Sequence, residues 1–166
     1  MAELTQKERL QPSLLDRLTD DEPHNQQESR EKRVLSMHKL RESVLRDVSW
    51  LLNTDSLESV TDLSAYPEVA QSVLNFGIKD LAGKTGSGVS SSEIEKELKQ
   101  AISIFESRIL PNTLNIQVLS SDKMNHHALS FDIEANLWAQ PLPLHLYLRT
   151  EIDTLTGDVN LRDMNG

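Results

Sequence analysis

Two long runs of alternating apolar and polar residues in the last third of the chain constrain its fold most strongly. In the first run the apolar positions are Leu129, Phe131, Ile133, Ala135 and Leu137. In the second run they are Leu142, Leu144, Leu146, Leu148 and Ile152. Successive side chains of a strand point to opposite faces, so the pattern predicts strands with one buried and one solvated face. It favours an antiparallel sheet, and a short final strand is predicted over residues 158–161.

The first two thirds of the chain show the period of amphipathic helices. A long helix is predicted over residues 29–53, with the stem of Arg41 contributing to its apolar face. The apolar residues of that face are Val34, Met37, Val44, Leu45, Val48, Leu51 and Leu52. A second helix ends near Glu106, and its apolar residues are Ile94, Leu98, Ala101, Ile102 and Phe105. A short helix is predicted between Pro67 and Gly77, because proline suits a first turn and glycine a C-terminal exit.

This order of helices and strands predicts the fold class and the domain organisation. We expect an α+β fold, with N-terminal helices packed on one face of a small C-terminal antiparallel β-sheet. The chain has 166 residues, enough for one domain with its own core. We assign residues 29–166 to this domain and residues 1–28 to a flexible N-terminal segment.

Composition excludes several functional classes. The chain has no cysteine, so disulfides and thiolate chemistry are excluded. With a net charge of −9, the chain lacks the basic surface that is typical of a nucleic-acid-binding protein. The first residues do not follow the order of a secretory signal, and no apolar run is long enough to insert into a membrane. We therefore expect a cytoplasmic protein with protein partners.

The N-terminal segment contains one apolar island, where a short anchor helix is predicted over residues 12–22. Leu14, Leu15 and Leu18 lie on one side of this helix. Isolated helices of this length are marginally stable in water. Two alternatives remain open: the leucines pack on their own domain, or they bind in the groove of a partner.

Motifs for cofactor, metal or nucleophilic chemistry are weak. Residues 83–88 superficially suggest a phosphate loop, but Ile78 occupies a position that a P-loop reserves for glycine. The five histidines form no His-Glu-x-x-His motif, and no Gly-x-Ser-x-Gly motif occurs. We therefore predict no cofactor, no metal site and no catalytic residue.

Glu106 and Arg108 stand where the last predicted helix meets the strands. Residues two apart do not face each other on a regular helix, so this acid and base leave the helix end in different directions or pair elsewhere. They can tie the helix to the sheet, or bind a partner through the guanidinium fork. A glycosidase with Glu106 as general acid would need a second carboxylate, from Asp122, Asp132 or Glu134. An adjacent arginine favours the ionised carboxylate, so the hydrolase is the weakest of these three alternatives.

Five segments of the chain match a known family: PSLLDRL at residues 12–18, LRESVLRDVSWLLN at 40–53, YPEV at 66–69, SVLNFGI at 72–78 and AISIFESRI at 101–109. Together they resemble the TssE family, the baseplate wedge subunits of type VI secretion systems. The family carries Glu-Pro-Arg where this chain has Glu106, Ser107 and Arg108. The acid and the base are therefore kept, and the proline is not.

The resemblance implies a non-enzymatic adaptor that joins the TssF–TssG wedge to the TssB/TssC sheath. It implies partner contacts at Glu106, Ser107 and Arg108 and at the N-terminal leucines. A sheath subunit would add a strand to a sheet edge, predicted either at the run from Leu142 to Ile152 or at the final strand. The family's lysozyme-like label implies a peptidoglycan hydrolase, against which the residues themselves argue.

Overall fold

Helices precede strands in the structure, a computed structural model that describes residues 13–19, 23–24, 37–80, 91–119, 128–139, 143–153 and 155–164. The helices among them are α1 (Leu14–Leu18), α2 (Met37–Leu52), α3 (Pro67–Ala70) and α4 (Ser91–Phe105). Short 3₁₀ helices span Leu57–Ser59, Val73–Asn75 and Pro111–Thr113. The strands are β1 (Asn115–Leu119), β2 (Ala128–Leu137), β3 (Leu144–Asp153) and β4 (Val159–Asp163).

The four strands form one antiparallel sheet in the order β1-β2-β3-β4. Its register places Phe131 opposite Thr150, and Thr150 opposite Leu161. The apolar positions of both alternating runs that the structure describes lie on the buried face, as at Phe131 and Leu148. Polar residues between them lie on the solvated face. The predicted strands and their pairing direction are confirmed.

Helices α2 and α4 cover the buried face of the sheet. Helix α4 contacts β1, helix α2 contacts β4, and the two helices contact each other. Their buried side chains join those of the sheet in a single hydrophobic cluster. Fully burying one large apolar side chain contributes about 1.5–3 kcal/mol, so this shared core is what holds the layers together. The predicted α+β class, with helices on one face of the sheet, is confirmed.

One expectation about the sheet edges is wrong. Strand β3, which carries most of the second alternating run, pairs with β2 on one side and with β4 on the other. Its backbone is therefore paired on both sides from Leu148 to Ile152, and it cannot accept a further strand there. The edges are β1 and β4, so the final strand keeps its predicted edge position.

The buried face of α2 differs in part from the predicted one. Met37 is exposed, whereas Leu40 and Ser43 are buried. Leu40 lies four residues before Val44 and so shares its face of the helix. The buried hydroxyl of Ser43 donates a hydrogen bond to the carbonyl of Leu40 at 2.9 Å, which satisfies it locally. Residues 29–36 of the predicted helix lie outside the described residues.

The short helix predicted between Pro67 and Gly77 is wrong in its extent. Pro67 does begin α3, but α3 ends at Ala70 and a separate 3₁₀ helix follows Ser72. Gly77 has a φ of +127°, and a Cβ there would lie 2.3 Å from the carbonyl oxygen of Thr54. The close approach of two backbone segments, rather than a helix exit, requires this glycine.

Several sequence features lie outside the described residues, among them residues 83–88, His126 and His127. Among the described residues, no helix has the length and hydrophobicity that crossing a membrane requires.

Candidate functional site

Glu106 and Arg108 lie in a tight turn that joins α4 to the sheet. Glu106 directly follows α4, and the amide of Ile109 donates to the Glu106 carbonyl at 3.2 Å, which closes a four-residue turn. The turn is fixed to the end of β2, because the amide of Trp138 donates to the Arg108 carbonyl at 2.7 Å. The predicted junction is therefore an ordered turn held by backbone hydrogen bonds.

The guanidinium of Arg108 hydrogen bonds to the side chains of Ser43, Asp47 and Glu106. We term Arg108 and these three side chains the charge cluster. Arg108 Nε donates to Glu106 Oε1 at 2.7 Å and its Nη2 to Glu106 Oε2 at 2.5 Å, a bidentate pair. Nη2 also donates to Asp47 Oδ2, and Nη1 donates to Ser43 Oγ at 3.2 Å. Because Ser43 and Asp47 belong to α2, the charge cluster ties the turn to that helix.

Most of the charge cluster is removed from solvent. Glu106 is 5% exposed, and the Arg108 side chain is 22% exposed. Burial alone would lower the pKa of Arg108, but hydrogen bonds to Glu106 and Asp47, and their charges, outweigh burial and raise that pKa. These contacts hold the turn against α2, and only a minor part of the Arg108 guanidinium is left exposed for a partner.

Ser107 forms the exposed tip of the turn. It is the second of the four turn residues, and neither its amide nor its hydroxyl hydrogen bonds to a described residue. A side chain here can change without disturbing the charge cluster.

A second ion pair extends the charge cluster to α1. Asp47 Oδ1 accepts a hydrogen bond from Arg46 Nε at 2.8 Å, and Arg46 Nη1 donates to Asp16 Oδ1 at 2.7 Å. Burial opposes the ionisation of Asp16, but hydrogen bonds from Ser13 and Arg46 outweigh burial and lower its pKa. Carboxylates and guanidinium groups therefore alternate without a break from Glu106 to Asp16.

Helix α1 exposes its leucines. Leu14 is 71% exposed and Leu18 is 74% exposed, while Leu15 is 42% exposed. Helix α1 thus contacts α2 through Asp16, and its apolar side chains do not enter the core. The structure describes this helix over five residues, and residues 12 and 20–22 of the predicted anchor helix lie outside the described part.

The outer edge of β4 is blocked at one residue. The Asp153 amide donates to the Asp158 carbonyl. Because the direction of the backbone groups alternates along a strand, the even-numbered residues of β4 bond to β3. The odd-numbered residues of β4 direct their amides and carbonyls away from the sheet. The side-chain amide of Asn53 donates to the Val159 carbonyl and accepts from the Val159 amide, both at 2.9 Å. The backbone groups of Leu161 have no hydrogen-bond partner among the described residues.

The outer edge of β1 carries a similar block. Val118 directs its amide away from β2 and donates to Glu95 Oε1, in α4, at 2.9 Å. Helix α4 also contacts β1 along this side of the sheet. Both edges are thus partly blocked by a side chain, Asn53 just after α2 at β4 and Glu95 of α4 at β1. Strand β4 keeps a position at Leu161 that has no partner among the described residues.

The carboxylates proposed as partners of Glu106 in a hydrolase lie elsewhere. Asp132 and Glu134 face the solvated side of β2, where Asp132 accepts from Arg149 Nε at 3.0 Å and Glu134 contacts His145 at 3.2 Å. Asp122 lies outside the described residues. Both Glu106 oxygens accept hydrogen bonds from Arg108, so they are directed to a cation rather than to a bond in a substrate. The part of the chain that the structure describes contains no metal-binding group of three His, Asp or Glu side chains.

Comparison with known families identifies the chain. A family model described as baseplate wedge protein gp25 matches residues 38–142, more than half of the sequence. The chain belongs to the gp25 family of baseplate wedge proteins. No curated protein and no solved structure matches it. In this baseplate wedge protein the matched span contains the whole charge cluster, whereas α1, β3 and β4 lie outside it.

Sequence reasoning found Glu106 and Arg108 but missed Ser43 and Asp47. The expectation that Glu106 and Arg108 diverge or pair elsewhere is wrong, because a turn rather than a helix brings them together. A signal for Ser43 and Asp47 existed, because they lie four residues apart on α2, next to Val44 and Val48 of the apolar stripe. A polar residue within an apolar stripe needs a partner, and Arg108 is that partner here. Arg46 and Asp16 gave no comparable signal.

Proposed function

We propose that this baseplate wedge protein is a non-enzymatic adaptor of a type VI secretion system, acting in the cytoplasm. It binds TssF and TssG through α1 and the turn of Glu106, Ser107 and Arg108, and it binds the TssB/TssC sheath through a sheet edge. The family match supports a baseplate role, and the resemblance to TssE supports the finer assignment.

The observation that carries the wedge contact is the unbroken series of ion pairs from Glu106 to Asp16. It orders a helix too short to be stable alone while leaving its leucines in solvent. Such an arrangement suits an apolar groove on a partner, where Leu14 and Leu18 act as anchors. The exposed part of Arg108 and the tip at Ser107 supply the polar rim of the same contact.

The wedge contact is tested by size-exclusion co-elution of the purified chain with a TssF–TssG complex. We expect wild type to co-elute, and we expect Leu14→Ser/Leu18→Ser and Ser107→Trp to lose co-elution. Ser107→Ala is the matched control and should co-elute like wild type, because it removes no hydrogen bond. Co-elution of both disruptive variants at wild-type level would overturn the proposed contact.

The sheath contact is proposed at β4. Leu161 offers an outward amide and carbonyl with no described partner, whereas Asn53 blocks the neighbouring position at Val159. An added strand would complete this edge through main-chain hydrogen bonds.

Proline at an edge position removes one such hydrogen bond while leaving the sheet's own pairing in place. We expect Leu161→Pro to abolish binding of TssB/TssC. Val118→Pro, at a similarly half-buried position whose amide points to the outer side of β1, should leave binding intact. The reverse result would assign the sheath contact to β1.

The non-enzymatic role assigns Glu106 to the fold rather than to chemistry. Purified protein added to cell-wall suspensions should produce no clearing that depends on Glu106. Clearing by wild type that is lost in a folded Glu106→Gln variant would contradict the proposal.

A further inference from the structure

Four large apolar side chains are exposed on residues 54–80, which we term the platform. They are Val60 at 84%, Tyr66 at 62%, Val73 at 82% and Leu74 at 68% exposure. Isolated exposed apolar residues are ordinary on protein surfaces, but Val73 and Leu74 are adjacent in the sequence and both exposed. The platform contains no residue of the charge cluster, α1 or β4, so the proposed contacts above leave these side chains unexplained.

The platform holds these side chains on a fixed backbone. The buried side chain of Asn75 accepts a hydrogen bond from the Glu58 amide and donates to the Ala70 carbonyl, both at 2.9 Å. The amide of Ile78 donates to the Thr54 carbonyl at 2.9 Å, which closes the two ends of the platform together. A surface that is already ordered loses little conformational entropy when a partner binds.

The charge of the platform indicates what kind of partner fits. It carries a single lysine, Lys79, against five carboxylates, all exposed: Asp55, Glu58, Asp62, Glu68 and Asp80. Lys79 is itself within 3.3 Å of Glu58 and 3.8 Å of Glu97. Five carboxylates and one lysine give this segment a net charge of −4, which favours a positively charged partner.

We propose that the platform is a docking surface for a basic, amphipathic segment of a partner protein. Apolar side chains of that segment cover Val73 and Leu74, and flanking lysines or arginines face the platform carboxylates. This contact is additional to those at α1, the turn and β4, and it stands whether or not they do.

The test is an NMR titration of the full chain with a synthetic amphipathic peptide that has leucines on one face and lysines on the other. We expect shift changes concentrated in residues 57–75 and an affinity that falls with rising salt, because exposed charges are screened. A peptide with glutamate in place of lysine keeps the apolar face and should not bind. Equal binding of the two peptides, or shifts centred outside the platform, would overturn the proposal.

A pair of matched variants separates the platform from α1. Val73→Ser/Leu74→Ser should raise the dissociation constant of the lysine peptide by about tenfold or more. A factor of ten corresponds to roughly 1.4 kcal/mol. Leu14→Ser/Leu18→Ser likewise removes two exposed apolar side chains, from α1, and this variant should bind the peptide like wild type. All four side chains are exposed, so both variants should keep the wild-type spectrum elsewhere. Loss of binding in the α1 variant instead would contradict the platform.

Discussion

The charge cluster and α1 are two ends of one series of ion pairs, yet they differ in what they leave in solvent. Glu106 is buried and its charge is matched by Arg108 within the chain. Helix α1 is attached through Asp16 and leaves Leu14 and Leu18 exposed. The difference teaches that the same ionic network can stabilise the fold at one end and position a binding element at the other. Substitutions at the two ends should therefore change different measurable quantities.

The largest effect should come from Glu106→Ala. It leaves the Arg108 guanidinium half-buried with only Asp47 as a charged partner, and removing one member of a buried ion pair typically costs about 3 kcal/mol or more. Urea unfolding should show this loss of unfolding free energy. Ser107→Ala, one residue away and exposed, should stay within about 0.5 kcal/mol of wild type. A loss from Glu106→Ala no larger than that control would show that the charge cluster does not stabilise the fold.

A smaller effect is expected from Arg46→Ala, which cuts the series between the charge cluster and α1. Partly exposed ion pairs contribute up to about 1 kcal/mol, so the unfolding free energy should fall by about that amount. The NMR signals of α1 should move to random-coil positions while those of α4 stay unchanged. Glu42→Ala, on the exposed side of α2, is the control and should leave α1 folded. An α1 that stays helical in Arg46→Ala would show that Asp16 is not its attachment.

Regions of the molecule also differ in how far the sequence predicts their structure. Alternation at Phe131 and the residues around it identified the sheet, and an acid and base at a helix end identified Glu106 and Arg108. Local patterns are sufficient there because they depend on periods within one element. The network from Asp47 to Asp16 joins residues far apart in the sequence, and so does the pairing that makes β3 an interior strand. Val73 and Leu74 follow a helical spacing in the sequence, but the buried side chain of Asn75 fixes a different local structure.

A modest gain in stability is expected from Ser107→Pro. Ser107 is the second residue of a four-residue turn, the position where the fixed φ of proline fits, and its amide donates to no described residue. Restricting the unfolded chain should raise the unfolding free energy by about 0.5–1 kcal/mol. The same urea experiment measures it, with Ser107→Ala as the reference. A lower stability than the reference would mean that the turn does not have the geometry proline requires.

The attachment of α1 to α2 should depend on pH. Arg108 of the charge cluster should stay protonated, because its pKa is raised. The pKa of Asp16 is lowered in the folded protein, because hydrogen bonds from Ser13 and Arg46 outweigh burial. Its contribution is therefore present above the unfolded pKa of about 3.9 and is lost as the pH falls through the folded value. NMR shifts of α1 should move toward random coil on acidification. In Asp16→Asn they should already be shifted at neutral pH, and a wild-type response in that variant would exclude Asp16 as the titrating group.

The smallest change in stability is expected from Leu14→Ser/Leu18→Ser, and this variant tests the central claim most directly. Both its free energy of unfolding and its dissociation constant for TssF–TssG should be measured on the same preparation. We expect a free energy within about 0.5 kcal/mol of wild type, because neither leucine is buried, and a dissociation constant at least about tenfold higher. A clear loss of stability with an unchanged dissociation constant would contradict the account, because α1 would then serve the fold and not a partner.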